Sequence, residues 1–173
     1  MAFLGETIET PRELFVHKIG AALTMEKKIL EMLPELEKAA NDSTLKQNLK
    51  QHKRQTEGHV RNLEQVFLAL GEEVDEQSCP AIEGLEKEGQ AMLGTVDDSL
   101  NDAVILSGVV ETEAHEIAVY DGLITKAAEM GEDDVVALFQ ENLEDEQATL
   151  KKAREATKKL ARQTAGTRVG VRR

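Results

Sequence analysis

The sequence predicts an all-α fold, a four-helix bundle with a long connection between its second and third helices that carries a short extra helix. Four long segments repeat apolar residues at intervals of three and four, which is typical of helices that bury one face. The chain has four Phe, one Tyr and no Trp, so aliphatic side chains and Met must fill most of the core. Capping residues, Pro and Gly stand at the ends of these segments.

The first two predicted helices are separated by a short turn. Residues 10–13 (Thr-Pro-Arg-Glu) combine an N-cap, a proline at the first helical position and a glutamate at the third, which is a capping box. The first helix should run from Pro11 to Ala40, with a kink or a loosened last turn at Pro34. The second should run from Thr44 to Leu70, where Gly71 ends it. Because the turn is short, the two helices should be antiparallel.

The second connection, residues 71–97, is long enough to return the chain to the other end of the bundle. It holds a short predicted helix from Ala81 to Leu93. A long helix of this chain spans roughly 40 Å at 1.5 Å per residue, which a short loop does not cover. The second and third long helices should then be parallel. The third should run from Asp98 to Met130 and the fourth from Asp133 to Ala161, with Gly131 between them.

Residues 1–162 should form one domain that contains the whole bundle, because the chain is long enough to bury one core. Residues 163–173 are predicted to be a basic, disordered tail. The net charge of -12 divides unevenly, since residues 1–150 hold 12 basic and 32 acidic side chains and residues 151–173 hold nine basic and one acidic. The acidic body disfavours nucleic acid and favours cations, whereas the basic end either contacts a polyanion or complements the helix dipole.

The sequence has no segment that resembles a membrane span or a signal peptide. No apolar run approaches the roughly 18 residues of a membrane span, and residues 1–10 lack the basic start and apolar stretch of a signal peptide. We therefore expect a cytoplasmic protein without a membrane partner. The single Cys79 has no second cysteine for a disulfide or a CxxC motif, and we interpret it as structural.

The apolar face of each long helix is interrupted near its midpoint by ionisable side chains. Helix midpoints meet in one layer whichever way the helices run, so these side chains should meet in the core. The interrupting residues are Glu26, His52, His59, Glu113, Glu116 and Glu146. The predicted faces of the last three long helices are Leu45, Leu49, His52, Thr56, His59, Leu63, Val66 and Leu70; Leu106, Val109, Glu113, Glu116, Tyr120, Leu123 and Ala127; and Val136, Phe139, Leu143, Glu146, Leu150 and Ala153.

Four buried carboxylates cost several kcal/mol each unless a cation neutralises them, and no Lys or Arg lies on these faces. Two divalent ions would balance the four glutamates in charge, and the two neutral histidines would complete the ligation. The sequence therefore predicts a two-metal site. One alternative stays open, a polar network in which some carboxylates are protonated and the histidines are charged.

Two further residues lie beside this polar layer. Tyr120 is one turn beyond the glutamates of the third helix, where its hydroxyl either bonds a ligand, passes an electron to the metal or anchors the core. Gln55 lies beside the histidine face, as a weak ligand, as a partner of a ligand or as a solvated amide. His17, Glu57 and His115 lie off the faces and are predicted at the surface.

Six short segments together resemble one known family. They are Met25-Glu26-Lys27-Lys28, Gln55-Thr56-Glu57-Gly58-His59, Leu63-Glu64-Gln65-Val66, Cys79-Pro80-Ala81-Ile82-Glu83-Gly84-Leu85, His115-Glu116-Ile117-Ala118-Val119-Tyr120 and Leu143-Glu144-Asp145-Glu146. Up to about residue 160 the chain resembles the YciF-like and YciE-like stress-associated proteins of the ferritin-like superfamily. The resemblance implies a ferritin-like, bacterial, cytoplasmic bundle with two metal ions, often a homodimer, without an assigned reaction. It also matches the four glutamates and the His52 and His59 face to the family's site.

Iron is the favoured metal because of this resemblance, and mixed oxygen and nitrogen ligands also suit manganese or zinc. The first functional hypothesis is an oxidase- or peroxidase-type site in which two ferrous ions react with dioxygen or peroxide under stress. The second is a non-enzymatic stress or interaction protein, in which a metal or a polar layer serves folding and dimerisation. A third is a mineral-storing cage, which requires a shell of many subunits.

Overall fold

The structure, a computed structural model, describes the backbone of residues 7–169 and the side chains of residues 7–165. This part of the chain contains five α-helices, one 3-10 turn and no β-strand. The helices are α1 (Pro11–Ala39), α2 (Ser43–Ala69), α3 (Pro80–Leu93), α4 (Asn101–Met130) and α5 (Asp133–Val169), and the 3-10 turn is Asp98–Leu100. The largest differences from the predicted bounds are at the start of α4, where the 3-10 turn comes first, and at the end of α5.

The helix ends are formed by the residues from which we predicted them. The Thr10 hydroxyl accepts a hydrogen bond from the backbone N–H of Glu13 at 3.1 Å, and the Glu13 carboxylate accepts one from the backbone N–H of Thr10 at 3.1 Å, so the capping box is confirmed. Gly71 and Gly131 have φ angles of 70° and 74°, the left-handed conformation that glycine adopts without strain. Pro34 is accommodated inside α1, which continues beyond it.

Contacts at the two ends of the bundle define the direction of each helix. At one end, the Arg12 guanidinium donates to the carbonyl oxygen of Leu70 at 2.9 Å and lies 3.7 Å from the Glu132 carboxylate. At the other end, the backbone N–H of Asn41 donates to the Asp102 carboxylate at 2.6 Å. The start of α1 therefore lies with the ends of α2 and α4. Helices α1 and α2 are antiparallel, and α2 and α4 are parallel, as predicted.

The four long helices form the bundle, and α3 packs on its outside. Helices α1 and α5 each contact both α2 and α4, whereas α3 contacts α1 and α4. The crossover that holds α3 returns the chain from the end of α2 to the start of α4. Cys79, just before α3, is a buried free thiol. The predicted four-helix bundle with a long crossover and a short extra helix is confirmed.

The last helix is longer than predicted. The predicted end at Ala161 is wrong, because α5 continues to Val169, and the segment predicted to be disordered from residue 163 begins as helix. Residues 161–165 are exposed. Their content of Ala, Arg and Gln, which are strong helix formers, extends the helix without packing. Residues 170–173 of the predicted tail lie outside the described residues.

The buried face of α5 is also shifted from the predicted one. Val135 and Asn142 are buried, whereas the predicted Val136 and Leu143 are only half-buried. Helix α5 packs against both α2 and α4, so the residues of α5 that face the space between these two helices are the ones that become buried. The other four residues of the predicted face are buried, namely Phe139, Glu146, Leu150 and Ala153.

Helix α1 and the crossover approach each other closely at Gly20. A β-carbon at this position would lie 2.2 Å from the carbonyl oxygen of Asp75 and 2.9 Å from Cγ of Gln77. We expect Gly20→Ala to lower the free energy of unfolding by about 1–3 kcal/mol, because the crossover must move away from α1. Urea denaturation followed by circular dichroism measures this change.

The matched control for this substitution is Gly122→Ala on α4. A β-carbon at Gly122 meets no atom within 4 Å, so this variant should gain up to about 1 kcal/mol from the higher helix propensity of alanine. Equal stability of the two variants would contradict the close approach at Gly20.

Candidate metal centre

The six side chains predicted to form a metal site meet in the middle of the bundle. Each is buried, and the most exposed of them, His52, is 4% exposed. Helices α1 and α5 contribute one glutamate each, α2 contributes two histidines, and α4 contributes two glutamates. The residues are Glu26, His52, His59, Glu113, Glu116 and Glu146. The fold therefore contains the polar layer expected from the helix midpoints.

The local sequence explains why these side chains point inward. The whole predicted face of α2 is buried, and its two histidines lie two helical turns apart on that face. Apolar residues such as Leu49 and Leu63 stand on both sides of the histidines along the helix. The helix cannot turn the histidines toward solvent without exposing these leucines, so burial of the apolar residues holds the polar ones inside.

The ligand-type atoms form two groups that share one glutamate. Within each group, one nitrogen or oxygen atom of every residue lies within 4.8 Å of the others. A carboxylate that belongs to both groups is suited to bridge two ions at short separation. The first group is His52, Glu113, Glu116 and Glu146, and the second group is Glu26, His59 and Glu146.

Each histidine directs a ring nitrogen at carboxylates from other helices. Nδ1 of His59 lies 2.8 Å from Oε1 of Glu146 and 3.5 Å from Oε2 of Glu26. Nε2 of His52 lies 3.1 Å from Oε1 of Glu113. Among the residues with described side chains, every ion pair of the four glutamates is with one of these histidines, and Lys and Arg pair only elsewhere.

Many polar atoms in this layer lack hydrogen-bond partners. Of the buried side-chain nitrogen and oxygen atoms in residues 7–165, ten have no hydrogen bond, and eight of these belong to the six residues. They include both carboxylate oxygens of Glu116 and of Glu146, and Nδ1 of His59, which is close to Glu146 but not aligned for a hydrogen bond. Buried polar atoms are usually paired, so these unpaired donors and acceptors fit a metal site.

Burial makes three of the four glutamates weak acids. Burial and the charge of Glu146 raise the pKa of Glu113 to about 11. Burial likewise raises the pKa of Glu116 well above 4.5 and the pKa of Glu26 above its ordinary value. In metal-free protein at neutral pH Glu113 therefore holds a proton, and burial favours the protonated forms of Glu116 and Glu26.

Glu146 and His59 form an ion pair in the metal-free protein. Burial opposes the charged form of each, but their contact outweighs it for Glu146, whose pKa lies below its ordinary value. Contacts with both Glu146 and Glu26 outweigh burial for His59 and raise its pKa to about 10. Burial lowers the pKa of His52, which is therefore neutral. The metal-free layer resembles the polar network that the sequence left open as an alternative, except that only one of its two histidines is charged.

These pKa shifts predict how the stability of the metal-free protein depends on pH. The folded pKa values of Glu113 and His59 exceed the ordinary values of 4.5 and 6.5, so above pH 6.5 the folded state binds more protons than the unfolded state. The contribution of these two groups to the free energy of unfolding is fully present below their ordinary pKa values. It is lost as the pH rises toward their pKa values in the folded state. Glu146 and His52, with lowered pKa values, change stability only at lower pH.

The free energy of unfolding of chelator-treated protein should therefore decrease between pH 7 and pH 9. Urea titrations at several pH values measure it. The decrease should be smaller with bound divalent metal, because the ions keep the carboxylates ionised in the folded state. A flat or rising profile in chelator would show that the carboxyl groups are not protonated as described.

Tyr120 contacts a predicted ligand and a residue that the sequence did not single out. Its hydroxyl donates a hydrogen bond to Oε1 of Glu26 and accepts one from Nδ2 of Asn142 at 3.0 Å. Asn142 is fully buried. Sequence reasoning missed it because the predicted face of α5 used Leu143. Its position one turn before Glu146 is the signal that places it on the same face.

Gln55 and Asp145 connect the layer to the surface. The Gln55 amide donates to Oδ1 of Asp145 at 2.6 Å, and Oδ2 of Asp145 lies 3.4 Å from Nε2 of His59. The Asp145 side chain is 40% exposed. Gln55 is in neither ligand group and instead orients a carboxylate that contacts His59. The apolar pattern did not indicate Asp145, because it lies beside the buried face of α5.

The remaining predicted surface residues differ in exposure. Glu57 is exposed, as predicted, and His17 is half-buried. His115 is half-buried as well, so neither histidine is as exposed as predicted. The Nε2 atom of His115 is buried without a hydrogen-bond partner, and burial lowers the pKa of His115. None of the described helices combines the length and the apolar character needed to cross a bilayer.

Comparison with known proteins assigns the chain to a family. A family model described as a domain of unknown function (DUF892) matches residues 10–166. The chain belongs to this family. DUF892 lies within the ferritin-like superfamily, so the predicted family and fold class are both confirmed. Protein YciF of Escherichia coli (strain K12) is 28% identical to this DUF892 chain over 144 residues, which are 82% of this chain and 87% of YciF.

Solved structures that resemble this DUF892 chain include the following three. YcfI from Rhodopseudomonas palustris, described as a candidate structural protein, is 34% identical with a TM-score of 0.84, over 88% of this chain and 98% of its own. The E. coli stress protein YciF is 27% identical with a TM-score of 0.82, over 87% and 96%. A protein from Xanthomonas campestris pv. campestris is 18% identical with a TM-score of 0.72, over 92% and 99%, and supports the fold alone.

Proposed function

We propose that this DUF892 protein binds two metal ions, iron in the cell, and uses them to react with dioxygen or peroxide during stress. The observation that carries the proposal is the pair of ligand groups that share Glu146. The unpaired buried atoms in these groups support it. The role in stress rests on the description of E. coli YciF as a stress protein. One ion would be held by His52, Glu113, Glu116 and Glu146, and the other by Glu26, His59 and Glu146.

Metal loading replaces protons in the layer. In the metal-free layer Glu113 and His59 hold protons, which must leave when these side chains bind a divalent ion. Carboxylate and imidazole ligands bind metal only after losing their protons. We therefore expect metal loading to release protons and the affinity of the protein for metal to increase with pH.

The donor set is suited to redox chemistry with iron. Two ferrous ions at this site would supply the two electrons that convert one hydrogen peroxide molecule and two protons into two water molecules. The four carboxylates favour the higher charge of oxidised iron, and burial of the layer excludes bulk water. The Tyr120 hydroxyl holds Glu26 in position through its hydrogen bond. Manganese and zinc suit the same oxygen and nitrogen donors.

Anaerobic iron loading tests the proposal. Protein purified without a histidine tag is loaded with Fe(II), and bound iron per chain is measured by elemental mass spectrometry. Air or peroxide is then added, and the remaining Fe(II) and the oxidant are measured. We expect about two irons per chain and oxidation faster than that of iron in buffer. Binding of no iron, or oxidation at the buffer rate, would exclude the redox function.

A non-enzymatic structural role is the second candidate function. The description of YcfI as a candidate structural protein favours it, as does the ion pair of His59 and Glu146 inside the metal-free layer. In that case no redox turnover should occur. If the polar layer alone serves folding, chelator should leave the stability of the protein unchanged at neutral pH, whereas a structural metal would make chelator lower it.

The homodimer and the cytoplasmic location implied by the family resemblance belong to the same proposal, as does contact of the basic C-terminal end with a polyanion. Native mass spectrometry of the whole chain tests the assembly. A mass near twice 19.1 kDa supports a dimer, whereas a shell of many subunits would favour mineral storage.

A further inference from the structure

An apolar cavity lies beside the candidate metal centre. It has a volume of about 50 Å³ and lies between α1, α3 and α4. Its lining is aliphatic side chains, Met and glycine except at Thr112, His52 and Glu113. His52 and Glu113 belong to the first ligand group, so the cavity reaches that group. On the other side α3 forms its wall through the half-buried Leu85 and Leu93.

The size and the lining of this cavity select a small apolar guest. A water molecule needs only about 10–15 Å³ of such volume, so a diatomic molecule has room. Water and hydrogen peroxide find hydrogen-bond partners only at the end formed by Thr112, His52 and Glu113, and they are disfavoured along the aliphatic rest of the wall. Cavities lined by aliphatic residues stay dry and bind apolar guests such as xenon. Dioxygen is both small and apolar.

Two glycines help to keep the cavity open. Gly89 on α3 and Gly108 on α4 both line it, and a β-carbon at either position would meet no atom within 4 Å. Close packing therefore does not require glycine at these positions. Each glycine costs its helix about 1 kcal/mol relative to alanine. At both positions the absence of a side chain leaves open space along the cavity.

We propose that this cavity binds dioxygen and admits it to the side of the metal layer formed by His52 and Glu113. The inference rests on the proposed function and deepens it, because it names dioxygen as the oxidant that enters here. Hydrogen peroxide loses hydrogen bonds with water when it enters an aliphatic cavity, so the cavity discriminates between the two oxidants.

Xenon binding tests the cavity without any measurement of activity. Crystals of the whole chain under xenon pressure should contain xenon between α1, α3 and α4. Crystals of Gly108→Leu should lack it, because leucine occupies the space. Gly122→Leu is the matched control on the same helix, away from the cavity and with no atom within 4 Å of its β-carbon, and it should keep the xenon. An unsubstituted cavity without xenon would overturn the proposal.

Iron oxidation then tests the role of the cavity. We expect Gly108→Leu to slow oxidation of bound Fe(II) by dioxygen by about tenfold, because the apolar path is filled, and to leave oxidation by peroxide unchanged. Gly108→Ala should show a smaller effect in the same direction, and it replaces the leucine variant if that fails to fold. Bound iron and thermal stability are measured for every variant.

Two outcomes separate this inference from the proposed function. Equal dioxygen rates in Gly108→Leu and Gly122→Leu would overturn the cavity as the route of dioxygen, while oxidation itself would still support the proposed function. If the unsubstituted protein oxidises no iron with either oxidant, the proposed function fails and dioxygen entry fails with it. Xenon in the cavity would then still identify a pocket for apolar guests.

Discussion

Glu146→Gln is expected to remove most of the bound metal, because Glu146 belongs to both ligand groups. The amide keeps the volume of the side chain but removes its charge and weakens its binding to a hard cation. Glu113→Gln removes a ligand from the first group alone, so about one ion per chain should remain in that variant. Elemental mass spectrometry on proteins loaded with the same excess of Fe(II) or zinc measures the difference.

Glu144→Gln is the matched control for this loss of metal, since Glu144 is exposed on the same helix and should not change the bound metal. Full occupancy in Glu146→Gln, together with reduced occupancy in Glu113→Gln, would show that Glu146 is not shared. Unchanged occupancy in both variants would place the metal outside the layer altogether.

Glu116→Gln is expected to stabilise the metal-free protein at pH 8 and to weaken metal binding. Both carboxylate oxygens of Glu116 are buried without a partner, and burial raises its pKa well above 4.5. At pH 8 the carboxyl group is ionised in the unfolded chain, and its raised pKa in the folded state means that folding is penalised, a cost that glutamine removes. The gain should be about 1–3 kcal/mol at pH 8 and smaller at pH 5, where the unfolded carboxyl is closer to its own pKa.

Urea denaturation in chelator at both pH values, with Glu129→Gln as an exposed control on α4, measures this effect. If Glu116→Gln is more stable than the unsubstituted protein and binds less metal, Glu116 is buried because it binds metal and not because it stabilises the fold. Lower stability with unchanged metal would instead support the structural role of the polar layer. The two proposed functions thus predict opposite results for one substitution.

The local features of the fold follow from the sequence because they depend on neighbouring residues. The capping box of Thr10 and Glu13 and the glycine stops at Gly71 and Gly131 have the predicted geometry, since each involves only a few consecutive residues. The buried face of α2 is also as predicted, because apolar residues at intervals of three and four can bury only one side of a helix. The end of α5 was missed, since helix propensity alone extends it past its packed part.

The composition of the polar layer was also determined by the sequence. Each helix carries its ionisable residues on the apolar face at the midpoint, so burying that face brings these residues into one layer for any helix direction. The sequence also indicated that Tyr120 lies next to this layer. It did not reveal Asn142 or Asp145, since their contacts depend on how far α5 is rotated toward α2 and α4.

Only the tertiary structure decided which atoms lie within bonding distance. Helix periodicity specifies the direction of a side chain around its own axis, but not the axial offset or rotation of one helix against another. Those two quantities divide the layer into two groups, make Glu146 their common member and pair it with His59. They also leave the apolar cavity at Gly108 and the close approach at Gly20, because both depend on where the crossover lies against the bundle.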